Sequence, residues 1–263
     1  MATSRQIEEC LFLLAPRHGA MDWDNVGLLV GDADREVRRV LVALDVTPAV
    51  AQEAIDGGYE LIVAHHPVMN CTWHPVQSVR SDTPQGRLLI RLLRGGVSAI
   101  CMHTNLDVAP GGVNDCLAEA LELIDPGPLG DGEGLCRMGT LPTPLPLADF
   151  VRQVSHSLHC NGVRYADAGR PASRVAVGGG ACGEYIGAAI AAGCDTFVTA
   201  DLKYHDFLDA PGQGINLIDA GHFPTEDPVC RRVIAALQAE FPSLYVSKSA
   251  SHREVIQYYV EGE

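Results

Sequence analysis

Apolar residues along this chain come in short unbroken runs, and between the runs they recur at helical spacing. "SRQIEECLFLLAP" (4–16) has the helical period, with Ser4 as a cap and Pro16 as a stop. "VRRVLVALD" (37–45) is a run without alternation, as expected of a strand buried on both faces. "VTPAVAQEAIDGG" follows, with Thr47 as N-cap, Pro48 at the first helical position and a glycine exit. "YELIVA" (59–64) predicts the next strand, "TPQGRLLIRLLRGG" (83–96) a helix with the same punctuation, "VSAICMH" (97–103) a third strand and "VNDCLAEALEL" (113–123) a helix. Strands alternating with helices predict a layered α/β sheet, largely parallel.

The texture changes at 124–146, "IDPGPLGDGEGLCRMGTLPTPLP", whose glycines and prolines predict a linker or boundary. A second α/β unit then follows. Helices are expected over 147–159, 183–193 and 225–241, and strands over 174–182, 194–201, 215–222 and, last, 254–260.

Four strands end in ionisable groups: Asp45, the pair His65 and His66, His103 with Asp107, and His222 with Glu226. Ligands of open α/β sheets bind beyond the carboxyl ends of the strands, so these residues can converge. A mixed imidazole and carboxylate set exceeds what one tetrahedral zinc takes. It suits two divalent ions, about 3.5–4 Å apart, sharing a carboxylate. Neighbouring strand residues point to opposite faces, which works against His65 and His66 sharing a site; Pro67 ends the strand and relaxes that constraint. Each histidine taken alone also has a structural explanation as a hydrogen-bonded strand-end residue.

Three further features leave alternatives open. "VGGGAC" (177–182) either cradles a phosphate on backbone N–H groups or packs a tight strand–helix turn. Trp23, in "MDWDNVGLLVGD" (21–32), either stacks on a substrate ring or packs half-buried. Lys203 and His205 in "TADLKYHDF" (199–207) either meet an anionic substrate and shuttle a proton or decorate a solvated loop.

Composition narrows the classes. Of 263 residues, 47% are hydrophobic and 20% charged, as in a globular protein with a sizeable core. The formal net charge of −14 disfavours nucleic acid or an anionic membrane as a bulk partner. No apolar run reaches the ~20 residues of a membrane helix, and "MATSRQIEEC" does not read as a signal peptide. The cytoplasm is the expected location. Nine scattered cysteines without a CxxC pair argue against a disulfide framework, and Cys101, Cys116, Cys136 and Cys160, in or beside periodic apolar segments, read as small buried hydrophobes.

The motifs "WDNVGLLVGD", "AHHPVMN", "HTNLDVAPGGVND", "VGGGAC", "DTFVTADLKYHD" and "DAGHFPTE" occur in that order. Together they resemble the Nif-three-like family, often labelled GTP cyclohydrolase 1 type 2 homologues, over nearly the whole chain. The resemblance implies a Nif-three-like fold of two α/β lobes with mixed, largely parallel sheets. One lobe, from 1–125 and about 220–263, would bind metal, and 126–219 would form the other. It implies a homohexamer, a trimer of dimers, with metal sites facing an inner cavity. It also implies two divalent ions per chain (Zn, Mn, Fe or Ni) held by His65, His66, Asp107, His222 and a bridging Glu226, with His103 beside them as proton carrier or further ligand. The chain resembles the short form, without an insertion between lobes, and has "TAD" (199–201) where "TGD" is expected. The function implied is metal-dependent hydrolysis of a nucleotide-like, anionic small molecule, of the GTP cyclohydrolase 1 type 2 class. Phosphoester hydrolysis and a non-enzymatic metal-dependent scaffold or regulator are the alternatives.

Overall fold

The structure, a computed structural model, describes residues 2–71, 75–130 and 134–259. The chain divides into two compact units, Met1–Pro110 with Cys230–Arg253, and Gly111–Val229 with Glu254–Glu263. The first change of unit therefore precedes the expected position near 125. Residues 220–229, and the described residues from Glu254 on, go with the second unit instead of the first.

In chain order the first unit contains β1 (Ala2–Thr3), α1 (Ser4–Leu14), β2 (Gly27–Val30), β3 (Glu36–Val37), β4 (Arg39–Ala43), α2 (Pro48–Asp56), β5 (Leu61–Ala64), α3 (Pro84–Gly95), β6 (Ser98–Cys101) and α4 (Thr104–Val108). The capping signals at Thr47 and Thr83 act as written, accepting from Val50 N–H and Gly86 N–H, and proline opens both helices; in α1 the cap is Thr3, which accepts from Gln6 N–H, and Ser4 is instead the first helical residue. The second unit contains α5 (Val113–Ala120), β7 (Ile124–Pro128), β8 (Arg137–Leu145), α6 (Leu147–Ser157), β9 (Arg164–Ala166), β10 (Ala172–Val177), α7 (Ile186–Ala191), β11 (Thr196–Thr199), α8 (Tyr204–Gln213), β12 (Asn216–Asp219) and α9 (His222–Glu226). α10 (Val229–Glu240) then leads back to β13 (Tyr245–Lys248) in the first unit.

The first unit's sheet has the order β13-β4-β5-β6-β2, parallel except for β2. Leu41 and Ala43 of β4, Ile62 and Ala64 of β5 and Ala99 and Cys101 of β6 form one face, covered by Val50 and Ala54 of α2 and Leu89 and Leu92 of α3. In the register, Ala43 lies opposite Ala64, and Ala64 opposite Cys101. The carboxyl ends of three strands therefore stop at one level.

The second unit's sheet has the order β7-β8-β10-β11-β12-β9. β10, β11 and β12 run parallel; β7, β8 and β9 are added antiparallel. The expected linker is thus sheet: its two ends pair as β7 and β8. Edge strands tolerate proline because an edge N–H needs no ladder partner, and β7 is largely exposed. Positions 131–133 of that stretch lie outside the described residues. The expected helix at 225–241 is two helices, α9 and α10, broken at Asp227 and Pro228. The expected last strand at 254–260 is not a strand over its described part; position 260 lies outside the described residues. There Ile256 N–H donates to the Glu254 carboxylate (2.8 Å) and Ile256 C=O accepts from Asn161 Nδ2 (3.0 Å). β13, just before it, carries the ladder instead. The nine cysteines form no disulfide, and burial pushes the Cys101 thiol up to about 12.

Candidate metal centre

In the first unit the site grows from the level strand ends. Asp45 follows β4 by two residues, His65 and His66 follow β5 directly, and His103 follows β6 by two. The N–H groups of both His65 (3.0 Å) and His66 (2.8 Å) turn to one acceptor, Leu44 C=O. The pleat has ended there, so two adjacent imidazoles no longer face opposite ways. Their ring centroids lie 4.8 Å apart, and each is 5.1 to 5.5 Å from His103. One nitrogen of each of His65, His66 and His103 lies within 4.8 Å of the others, close enough to hold a metal ion. His103 precedes α4 and Asp107 lies one turn on, with its carboxylate 3.5 Å from His65 Nε2. His65, His103 and Asp107 are buried.

The Nδ1 atoms decide how these rings can act. His65 Nδ1 bonds the Met102 carbonyl (2.8 Å), His66 Nδ1 the Asp45 carboxylate (3.0 Å) and His103 Nδ1 the Asp24 carboxylate (2.9 Å). A carbonyl can only accept, so His65 carries a proton on Nδ1 and directs Nε2 towards Asp107. An imidazole nitrogen and a carboxylate oxygen so placed are donors that suit a divalent metal. Second-layer acceptors on Nδ1 are what metal-binding imidazoles use to fix tautomer and ring plane. Burial opposes ionisation of Asp24 and Asp45, but their imidazole partners, and Thr104 at Asp24, prevail: Asp24 is held at about 2 and Asp45 well below the usual carboxylate range.

In the second unit, Gly221 at φ +90° opens α9, which carries His222 and Glu226 one turn apart. His222 Nε2 lies 3.2 Å from Glu226, and Nδ1 lies 2.7 Å from Asp201. Asp201 takes a left-handed backbone, φ +53°, just after β11. That is a conformation aspartate tolerates better than most residues. Burial opposes a charge on His222, yet Glu226 and Asp201 outweigh it and raise the imidazole to about 11. The His222 hydrogen bond, ahead of a burial penalty, lowers Asp201 in turn.

The glycine run serves this pair. Gly179 N–H donates to Asn114 Oδ1 (2.7 Å), Gly180 N–H to Thr225 Oγ1 (3.0 Å) and Cys182 N–H to Thr199 Oγ1 (3.1 Å). Donors engaged in this way are not set out for a phosphate. A Cβ on Gly180 would overlap the Glu226 carboxylate and stand 3.1 Å from His222 Nε2. The tight-turn explanation holds, and the space kept open lies against two candidate ligands. Imidazole and carboxylate donors with that room fit a borderline divalent metal.

The other candidates fall as follows. Trp23, 49% exposed, sets its ring edge-on to His103 at 5.9 Å. Lys203 and His205 are exposed at the start of α8, where Lys203 N–H donates to Asp206 (2.7 Å). Sequence reasoning noticed Asp24 and Asp201 only as neighbours of motifs and missed His252. Its Nε2 lies 3.1 Å from the second Asp45 oxygen.

Nearly all of the chain, residues 2–254, matches the family described as Duf34/NIF3 (NGG1p interacting factor 3). The chain belongs to the Duf34/NIF3 family. A Clostridium perfringens member named GTP cyclohydrolase 1 type 2 homolog is 32% identical over 90% of this chain and 93% of its own. A Streptomyces coelicolor member of the same name is 34% identical over 88% and 84%. Among solved structures, Staphylococcus aureus protein SA1388 matches with a TM-score of 0.89 at 30% identity, over 98% of this chain and 99% of its own. A Bacillus cereus protein related to NIF3 shares the fold, with a TM-score of 0.88 over 98% and 99%, at 24% identity. The mixed α/β fold expected from the motifs is therefore that of NIF3 proteins. Among the described residues, no helix is long and apolar enough to cross a membrane.

Proposed function

We propose that this NIF3-family chain is a dinuclear metal-dependent hydrolase acting on an anionic, nucleotide-like small molecule. His65, His66, Asp107, His222 and Glu226 would hold the two divalent ions, with Glu226 as the bridge. The carrying observation is that His65, His66, His103 and His222 all have Nδ1 held by a carbonyl or carboxylate. Such rings offer Nε2 in a fixed direction. When bound, a divalent pair supplies Lewis acidity and makes water nucleophilic near neutral pH.

The chain's own groups do the rest. His103, oriented by Asp24, holds or moves a proton at Nε2 during attack and departure of the leaving group. Trp23 offers a ring face beside His103 for a heterocycle. Lys203 and His205 stand as candidate partners for anionic substrate groups. Relatives named GTP cyclohydrolase 1 type 2 homolog make ring opening of GTP the first reaction to try. The working form is taken to be a cytoplasmic homohexamer, a trimer of dimers.

Metal analysis of the wild type and of the paired substitution His65→Ala with Glu226→Ala, beside a GTP turnover assay, tests the proposal. Two ions per chain, lost in the double variant, with metal-dependent turnover is the expected result. Two ions without turnover on GTP or on a phosphoester panel would favour a metal-dependent scaffold. No uptake after reconstitution would end the metal reading.

A further inference from the structure

We infer that His252 is a positioning residue for His66, acting through Asp45, and that the segment after β13 is the arm that carries it there. The inference rests on the proposed role of His66 as a metal ligand. It concerns the first unit alone.

The arm is fastened at several points. Ser249 N–H donates to Val42 C=O (2.8 Å), on the strand that leads to Asp45. Ser249 Oγ (2.6 Å), Ala250 N–H (2.9 Å) and Ser251 N–H (3.0 Å) all donate to the carboxylate of Glu53 on α2. His252 N–H returns to Ser249 Oγ (3.2 Å). The fold back leaves the His252 side chain only 7% exposed.

The His252 tautomer follows from its neighbours. Its Nδ1 accepts the Leu44 N–H (3.3 Å), so the ring proton sits on Nε2. Nε2–H donates to one Asp45 oxygen (3.1 Å), and the other oxygen accepts from His66 Nδ1 (3.0 Å). The Asp45 side chain is 44% exposed, so the His66 bond alone leaves its carboxylate able to rotate towards water. Gripped from both sides, it has one orientation. It then holds His66 in the Nδ1–H tautomer, with Nε2 aimed at the site.

The test is a cobalt(II) titration of the full chain, reading affinity by competition with a coloured chelator and the ligand-field absorption of the bound ion. His252→Ala is expected to weaken one cobalt ion about tenfold, in the range seen when a ligand's outer partner is removed, and to shift its absorption. His252→Gln, whose amide has both an acceptor and a donor, is expected to recover part of both changes. Wild-type affinity and spectrum in His252→Ala, or no recovery in His252→Gln, overturns the inference. Should His252→Ala fail to fold, Glu53→Gln loosens the arm and is expected to weaken cobalt; an unchanged titration there overturns it equally. Cobalt binding lost in His66→Ala but untouched in His252→Ala sinks this inference alone. A wild type that takes up no cobalt sinks the metal reading beneath it as well.

Discussion

The imidazole of His222, set between Asp201 and Glu226, titrates far above the ordinary histidine value of about 6.5. Folding raises this group, so in metal-free protein its stabilising contribution is complete below about pH 6.5 and is lost as pH climbs through about 11. Urea unfolding of metal-free wild type and His222→Gln should show a gap at pH 6 that narrows by pH 10. A gap that widens with pH would contradict the assignment. A metal on Nε2 displaces the same proton, so affinity should rise with pH, and calorimetric heats of uptake at pH 7 should depend on the buffer's ionisation enthalpy. Gly180→Ala should cost roughly 1–3 kcal/mol in chemical unfolding, from a left-handed backbone and a crowded Cβ together, and should lower metal content. The candidate ligands were legible in the sequence because imidazoles and carboxylates at strand ends are conspicuous. Their orienting acceptors were not. Asp24 and Asp201 become informative only once the fold sets them against an Nδ1, and His252 lies about two hundred positions from Asp45 in the chain.

At the scale of elements, the strands and helices of the first unit could be read because each run carries its own punctuation, as Thr47–Pro48 and Thr83–Pro84 do. The misread strands share one physical cause: pairing is a tertiary property. Pro126, Pro128, Pro142 and Pro144 signal a loop in isolation, yet they sit in β7 and β8, added antiparallel to the second sheet. "EVIQYYV" has strand-forming residues, but over its described part Ile256 turns its N–H to Glu254 and its C=O to Asn161, while the shorter "YVSK" takes the place beside β4. The arm after β13 gives an element-level expectation. Glu53 accepts three donors from it; burial opposes its ionisation, but these bonds lower its pKa. Its contribution is therefore present above about pH 4.5 and is lost as pH falls. Glu53→Ala should cost about 1 kcal/mol near neutral pH, discounted for partial exposure, with a smaller loss at pH 4, as read by urea melts.

Taken whole, the chain is a family member whose two units each place histidines and carboxylates past the ends of parallel strands. A ligand that binds only the folded chain stabilises it by mass action, by about 2.7 kcal/mol at a hundredfold excess over Kd. Saturating divalent metal should therefore raise the melting temperature and a chelator should lower it, with both effects absent from His65→Ala with Glu226→Ala. Light scattering should give six chains per particle if the proposed hexamer forms. The order of synthesis adds a consequence of β13. That strand closes one edge of the first sheet beside β4, yet it is made after all of the second unit up to Val229. At roughly 5–20 residues per second, the nascent first sheet waits about 7–27 s on the ribosome with β4 as a bare edge. A bare edge invites pairing with a neighbouring chain. The same late segment brings His252, so a chain released just after β13 would keep every proposed ligand and lose the hand that aims one of them.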